Sequence, residues 1–423
     1  MTNRAESLPR PMFHVPRNSG GHPRLTLGLI AAVVLIGGAG LAAGLTTRAL
    51  PTASSREAPL PPRPTVEVVE ALPQLATRLR READAGRFMG AVLVARGDQV
   101  LFRQAYGPAD VATGDPTRID SRFRLASVSK QFTAAAILKL QDDGKLTIGD
   151  PVCQWIQPCP AAWQSLRLSH LLSHTSGIPD LMARPAWGSR RVTPATLDQL
   201  TEDSKAFRLA FAPGSKLRYN NAGFNLAAAV VEKASGMAFG DYLQTAFFKP
   251  LGMADTGLET DASQDIITGH ANFPAGLTAQ RQPNVSIVVG AGALYSTLDD
   301  MLVWERALHG GQVLTPYSYA QMVADHSPVD QPNERGGRPH RLWGYGLMSN
   351  RLGQRVSPAF EDLQIYHTGS WSGFRNLVTW QPDARVAVIV LSNNYHQQQQ
   401  VLLISQQAMA EALGKDFPTG LER

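Results

Sequence analysis

The chain has 423 residues, 43% of them hydrophobic and 18% charged, a balance that fits one large enzyme or two average domains and excludes wholesale disorder. Its formal net charge is +5, but residues 1–24 hold four arginines against one glutamate, which accounts for +3. The rest of the chain carries only +2. This charge gives no support for a nucleic-acid partner.

An apolar stretch without charges, LTLGLIAAVVLIGGAGLAAGL, follows the basic tail at residues 25–45. A helix of this length spans about 31 Å, roughly one hydrocarbon core. The stretch predicts a transmembrane signal anchor, with cleavage near Ala42 as the alternative. The positive-inside rule keeps residues 1–24 in the cytoplasm. Everything after residue 45 is then expected on the periplasmic or extracytoplasmic side of the cell (inner) membrane.

Five prolines within residues 46–65 predict an extended linker, and we expect one folded domain over residues 66–418. This domain opens with an amphipathic helical stretch in which Pro73 marks an early turn or a break. Two β-rich runs around Gly97-Asp98 then predict a hairpin. An Ala-rich run predicts a helix from about Val128 to Lys145.

Helices and loops are expected between about residues 160 and 360. Near the C-terminus, three runs predict strands and a fourth predicts a closing helix: LQIYHTGS, FRNLVTW, RVAVIVLSN and LLISQQAMAEAL. Strands at both ends of the domain predict an α/β (α+β) fold. In this fold one antiparallel sheet is formed by both chain ends and flanked by helices, with a mainly helical lobe inserted between them.

Two pairs of residues in the middle of the chain have the spacing of cross-links or ligands. Cys153 and Cys159 lie in a Pro-rich segment, where a local disulfide is expected outside the cytoplasm and two free thiols are the alternative. His170 and His174 have the spacing of a metal pair on a helix, but no H-E-x-x-H motif or third ligand accompanies them. We expect them to pack or to brace a loop, and we predict neither a metal nor a cofactor.

The strongest chemical signal is Ser127-Val128-Ser129-Lys130, the only S-x-x-K in the chain. A serine needs a base beside it to become a nucleophile, and a lysine three residues later on a helix lies on the same face. A helix N-terminus would favour a developing oxyanion and disfavour the lysine cation. Ser129 is the weaker nucleophile candidate, because Lys130 next to it faces elsewhere.

Two more motifs accompany the first: Tyr219-Asn220-Asn221 is the only Y-x-N and His367-Thr368-Gly369 the only H/K-T-G. The order and spacing of the three motifs resemble those of the serine β-lactamases and penicillin-binding proteins. The resemblance is strongest to the branch with class C β-lactamases, DD-carboxypeptidases, esterases and D-amino-acid peptidases. The resemblance covers about residues 75–410. Further stretches within this range also resemble that branch: LLSHTSGIPD, FAPGSKLRYNNAGFNLAAAVVEKASG, PLGMADTGL and GAGALYSTLDDM.

The resemblance implies that Ser127 is the acylated nucleophile and that Lys130 is its base. Tyr219 would relay a proton to the leaving group and then help to activate water. Asn221 would hold the acyl-side amide of the substrate. The backbone N–H groups of Ser127 and Ser370 would form the oxyanion hole.

The third motif departs from the K-T-G of β-lactamases, because His367 stands where they have lysine, as in many carboxypeptidases and esterases of the family. Efficient β-lactam turnover is therefore not expected. A histidine that titrates near ~6.5 would bind an anionic substrate better when protonated; the alternative is an uncharged hydrogen-bond donor. Thr368 and Gly369 are predicted to line the substrate strand, where Gly369 lets substrate backbone approach. Arg375 is either a partner for a substrate carboxylate or a solvated strand residue.

The leading hypothesis is a membrane-anchored serine hydrolase that forms an acyl-enzyme on an amide or ester. Its partner would be a small-molecule or peptide substrate, such as a D-amino-acid peptide, a β-lactam or an ester. The alternative is a catalytically silent penicillin-binding-like module with a sensory or scaffolding role. The intact Ser127, Lys130 and Tyr219 argue against this alternative.

Overall fold

The computed structural model describes residues 67–184, 187–260, 263, 265–328 and 342–422, all within the unit Arg63–Arg423. The predicted cytoplasmic tail, membrane helix and linker (1–24, 25–45 and 46–65) lie outside the described residues. Across the described ranges, no helix has both the length and the hydropathy needed to cross a membrane.

The strands of the described residues are β1 Val69–Glu70, β2 Gly90–Arg96, β3 Gln99–Tyr106, β4 Phe123–Arg124, β5 Gly257–Leu258, β6 His270–Phe273, β7 Gly276–Ala279, β8 Leu294–Ser296, β9 Leu342–Trp343, β10 Met348–Asn350, β11 Val356–Ser357, β12 Gln364–Trp371, β13 Phe374–Gln381, β14 Val386–Ser392 and β15 Gly420–Leu421.

The main sheet has eight strands in the order β1-β3-β2-β14-β13-β12-β10-β9. Every neighbouring pair in it is antiparallel. Strands from the two ends of the folded chain meet where β2 pairs with β14, which confirms the predicted shared sheet. All seven residues of β14, VAVIVLS, are buried, as expected for a central strand that is covered on both faces.

The α-helices of the described residues are α1 Pro73–Asp84, α2 Lys130–Asp142, α3 Val152–Trp155, α4 Leu168–Leu172, α5 Trp187–Arg190, α6 Leu197–Lys205, α7 Ala222–Ser235, α8 Phe239–Leu243, α9 Lys249–Leu251, α10 Val289–Gly292, α11 Leu298–His309, α12 Pro316–Val323 and α13 Gln398–Leu413.

The helices divide between the two faces of the sheet, and each face has its own hydrophobic core. Helices α1 and α13 pack on one face, together with Val388, Val390 and other residues of alternate strand positions. The inserted lobe, with α2, α7 and α11, packs on the other face against residues such as Ile389 and Val378. Because side chains alternate along a strand, neighbouring residues of β12 and β13 belong to different cores.

The structure corrects two local predictions. The first helix begins at Pro73 as its N-terminal residue, and Val69–Glu70 is a strand paired with β3. The helix expected from Val128 is a 3₁₀ turn, Ala126–Ser129, followed by α2. The hairpin at Gly97 and the three C-terminal strands are confirmed.

Cys153 and Cys159 form the expected disulfide, with their Cα atoms 5.3 Å apart. The bond closes the short segment that begins in α3, next to residues that pack on the lobe core. A disulfide is stable in an oxidising compartment and rare in the cytosol.

We predict that Phe132→Ala destabilises the lobe strongly. The Phe132 ring is fully buried and stacks on Trp304 of α11 with 4.0 Å between centroids, so its removal leaves a cavity. The expected loss is about 3–5 kcal/mol in the free energy of unfolding. Tyr317→Ala is the matched control, because Tyr317 is 70% exposed and its loss is expected to change stability by under ~0.5 kcal/mol. Denaturant unfolding followed by intrinsic fluorescence measures both, and equal midpoints for the two variants would contradict the packing argument.

Candidate active site

Ser127 lies in a strained turn at the junction of the sheet and the lobe. Ala126, just before it, has a φ of +51°, a left-handed conformation that costs free energy for any residue with a Cβ. The Val128 N–H donates to the Leu125 carbonyl, so the Ser127 N–H precedes the first bonded turn of the 3₁₀ segment. The turn therefore presents Ser127, partly exposed, with a backbone donor that has no helical partner.

Contacts from two other segments hold this turn. The Asn376 side chain of β13 donates to the carbonyls of Arg124 and Leu125 at 2.8 and 3.2 Å. Arg124 in turn makes a bidentate ion pair with Glu259, with both N···O distances 2.6 Å. These contacts offset the strain at Ala126 and fix the position of Ser127.

The Ser127 hydroxyl has the two partners that the motifs predicted. Lys130 Nζ lies 3.1 Å from Ser127 Oγ, and the Tyr219 hydroxyl donates to the same oxygen at 2.7 Å. Ser129 is buried, and its hydroxyl accepts from the Leu294 N–H at 3.1 Å. The structure thus brings together Ser127, Lys130 and Tyr219 and gives Ser129 a structural role.

Lys130 is completely buried, and burial lowers the pKa of its ammonium to about 7, although the Asp180 carboxylate opposes that change. Besides Ser127, its Nζ donates to the Asn221 side-chain oxygen and to the Ala291 carbonyl, both at 2.8 Å. Near neutral pH a large share of this amine is therefore unprotonated and can accept a proton from Ser127.

Tyr219 contacts the nucleophile and belongs to a group of aromatic rings beside it. Its ring is 4.4 Å from the ring of His174 and 6.1 Å from that of Trp343, and Lys130 Nζ lies 4.8 Å from its centroid. The residue is 36% exposed, yet its surroundings, chiefly through burial, raise the pKa of the phenol above its usual value. Tyr219 is therefore a neutral proton donor at physiological pH.

Gly369 contacts the nucleophile turn, and this contact explains the glycine. A Cβ at Gly369 would lie 2.3 Å from the Leu125 carbonyl oxygen and 2.9 Å from Asn376 Nδ2. The structure thus shows a backbone of the chain itself that requires glycine here. The approach of substrate backbone along Gly369 stays a prediction.

His367 shares this face of β12 and stays uncharged. Burial, together with the nearby Lys130, lowers its pKa to about 3. Its Nδ1–H donates to the Thr368 carbonyl at 2.7 Å, so Nε2 carries the lone pair, and this buried atom has no hydrogen-bond partner among the described residues. The low pKa favours the alternative of an uncharged hydrogen-bond donor over a histidine that titrates near ~6.5, because desolvation penalises the imidazolium.

The remaining residues of this strand pair lie on the other face. The side chains of Thr368 and Ser370 are exposed, and Ser370 pairs with Arg375. Arg375 shares the face of Leu377, in the core opposite to Ser127. Its guanidinium stacks on Tyr395 with 4.6 Å to the ring centroid and donates to the Tyr395 carbonyl. This half-buried side chain is not a freely solvated residue, and its role as a partner for a substrate carboxylate stays a prediction.

The two histidines with metal-like spacing have separate structural roles. His170 accepts from the Arg167 N–H at the start of α4, and His174 is buried against Tyr219 and accepts from the Asn220 N–H. Burial lowers the pKa of both. In the ranges that the structure describes, no group of three or more potential metal ligands occurs.

Asp180 is the site residue that the motifs missed. Its Oδ2 accepts from the backbone N–H and the side-chain Nδ2 of Asn221 at 3.0 and 3.2 Å. The only sequence signal was its place in LLSHTSGIPD, a stretch noted for its resemblance. Asn221, expected to hold the substrate amide, thus uses both side-chain polar atoms within the protein.

Comparison with known proteins agrees with this geometry. The chain is 28% identical to penicillin-binding protein 4* of Bacillus subtilis over 75% of this chain and 71% of that protein. It is 28% identical to the esterase EstB of Burkholderia gladioli over 62% of this chain and 75% of that protein. The structure of an octameric penicillin-binding protein homologue from Pyrococcus abyssi superposes with a TM-score of 0.69 at 22% identity, covering 81% of this chain and 77% of that one, which shows the shared fold.

A family model described as Beta-lactamase matches residues 67–408, which is most of the folded chain. The predicted fold is confirmed, and the chain belongs to the beta-lactamase family of serine hydrolases.

Proposed function

We propose that this protein is a membrane-anchored hydrolase that forms an acyl-enzyme through Ser127 on an ester or amide of low charge. One observation carries the proposal: a fully buried amine, with a pKa of about 7, lies 3.1 Å from a partly exposed serine hydroxyl. His367 is neutral and Arg375 is engaged by Tyr395, which favours a substrate that does not depend on either residue for charge neutralisation.

In the proposed acylation step, neutral Lys130 takes the proton of Ser127 as Oγ attacks the carbonyl carbon. The backbone N–H of Ser127 is one donor to the oxyanion, and the resemblance assigns the second to Ser370. Tyr219 gives its proton to the leaving group and recovers one from Lys130. In deacylation the same groups activate water, and Ser127 is regenerated.

The anchoring proposal rests on residues 25–45 and on the arginines before them. The Cys153–Cys159 disulfide supports an oxidising compartment for the catalytic domain. Residues 46–65 would then act as a tether outside the membrane.

We predict that Ser127→Ala abolishes labelling by a fluorophosphonate or penicillin probe, whereas Ser129→Ala retains most of it. The reason is that only Ser127 contacts both Lys130 and Tyr219. Intact-mass analysis with β-lactams, D-alanyl peptides and p-nitrophenyl esters measures adduct formation and identifies the acyl donor. Full labelling of Ser127→Ala would overturn the nucleophile assignment, and an unlabelled parent protein would favour the silent module.

We predict that kcat/KM rises with pH through an acid limb near 7. The unprotonated form of Lys130 is the active one, and its fraction grows as pH rises through a pKa of about 7. His367, with a pKa of about 3, does not change charge between pH 5.5 and 8.5. One anionic and one neutral substrate should therefore give parallel profiles, and a KM that rises with pH only for the anionic one would restore a charged His367.

We predict that the protein fractionates with membranes. Protease added from outside should release an active, soluble fragment by cutting within residues 46–65, because the prolines of this segment predict an extended linker. Activity in both fractions and N-terminal sequencing of the fragment measure the outcome. Recovery of a soluble cytoplasmic protein would contradict the proposed topology.

A further inference from the structure

We propose that Asp180 is a positioning residue that fixes the orientation of the Asn221 amide and thereby aims the basic lone pair of Lys130 at Ser127. This inference rests on the proposed function. It explains why the lone pair of the Lys130 amine, which has three acceptors around it, faces Ser127 Oγ.

The hydrogen bonds of Lys130 define the direction of its lone pair. An ammonium has three N–H donors, and Nζ has three acceptors within reach: Ser127 Oγ, Asn221 Oδ1 and the Ala291 carbonyl. After loss of one proton, only two N–H groups remain. The Ala291 carbonyl and Asn221 Oδ1 can only accept, so they take both, and the lone pair faces the Ser127 hydroxyl.

This arrangement fails if the Asn221 amide turns over. Its Nδ2 would then face Lys130 as a donor, and the lone pair of the neutral amine would be drawn toward Asn221 instead of Ser127. The orientation of a side-chain amide follows from its other partners. At Asn221 the decisive partner is Asp180, whose Oδ2 accepts from Nδ2 at 3.2 Å.

A carboxylate suits this position because it only accepts. Three N–H groups point at Asp180: the backbone and side chain of Asn221 on Oδ2, and the Met182 backbone on Oδ1 at 2.9 Å. An asparagine at residue 180 would offer one acceptor in place of two. Either the Asn221 amide or the Met182 N–H would then face a donor, and the single orientation of Asn221 would be lost.

The negative charge of Asp180 also affects the pKa of Lys130. It raises the pKa of Lys130 against the larger effect of burial. The other titratable groups near Lys130 are Tyr219, His174 and His367; burial keeps them uncharged near pH 7, raising the pKa of the phenol and lowering those of the imidazoles. Arg184 also interacts with Asp180. Asp180 therefore moves the acid limb of the pH–rate profile to higher pH than burial of Lys130 alone would give.

The test compares Asp180→Asn with Asp143→Asn, which removes the same charge from an exposed carboxylate that pairs with Lys139. The rate of Ser127 labelling by an uncharged fluorophosphonate is followed by intact mass from pH 5 to 9. We expect Asp180→Asn to label roughly 10- to 100-fold more slowly at its optimum, with an acid limb about one pH unit lower. Asp143→Asn should match the parent.

Asp180→Glu keeps the charge but moves the oxygens. It should label slowly with the acid limb of the parent, and it replaces Asp180→Asn if that variant does not fold. If Asp180 only caps the 3₁₀ turn Leu181–Ala183, its variants will lose thermal stability while rate and acid limb stay unchanged, which overturns the inference. Failure of the parent to label at Ser127 would instead refute the proposed function.

Discussion

The candidate site depends on the burial of one amine. Lys130 is enclosed because α2, α7 and α10 pack closely through small residues: a Cβ at Gly290 would lie 2.2 Å from the Phe224 carbonyl oxygen. Thr133 of α2 donates to the Gly290 carbonyl at 2.6 Å, which fixes α10 and with it the Ala291 carbonyl beside Lys130. Burial of an ammonium is unfavourable unless its donors are satisfied, and three separate segments supply the acceptors here. The same burial that costs stability brings the amine into the range of a general base.

The strain at Ala126 follows the same logic on the sheet side of the site. A left-handed alanine costs about 1–3 kcal/mol of stability, and it occurs only where several surrounding contacts hold the backbone in that conformation. Asn376 holds the carbonyls before the turn, Gly369 allows β12 to approach, and Arg124 is anchored by Glu259. The sheet thus acts as a rigid support for the nucleophile, while the lobe controls the protonation of its base.

The sequence predicted the elements and motifs whose signals are local. Ser127 and Lys130 meet as their spacing predicted, although the segment is a 3₁₀ turn followed by a helix. The hairpin and the C-terminal strands follow from the alternation of apolar and polar residues and from turn residues. It missed Asp180, because the contact with Asn221 joins segments 41 residues apart and no pattern encodes it. It left Arg375 open, because one register position decides which face of β13 the side chain occupies.

The neutrality of His367 follows chiefly from its own burial, and the nearby Lys130 acts in the same direction. Two cations in one desolvated cluster lower the pKa of each other, and the interaction of His367 with Lys130 has this sign. A lysine at position 367 would place a second ammonium near the buried Lys130. Each of the two amines would then lower the pKa of the other. An imidazole whose Nδ1–H is taken by the Thr368 carbonyl avoids this conflict and leaves Lys130 to respond to burial and Asp180 alone. The departure from K-T-G therefore removes a cation that could bind substrate and leaves the pKa of Lys130 independent of position 367, which agrees with the proposed hydrolysis of weakly charged acyl groups.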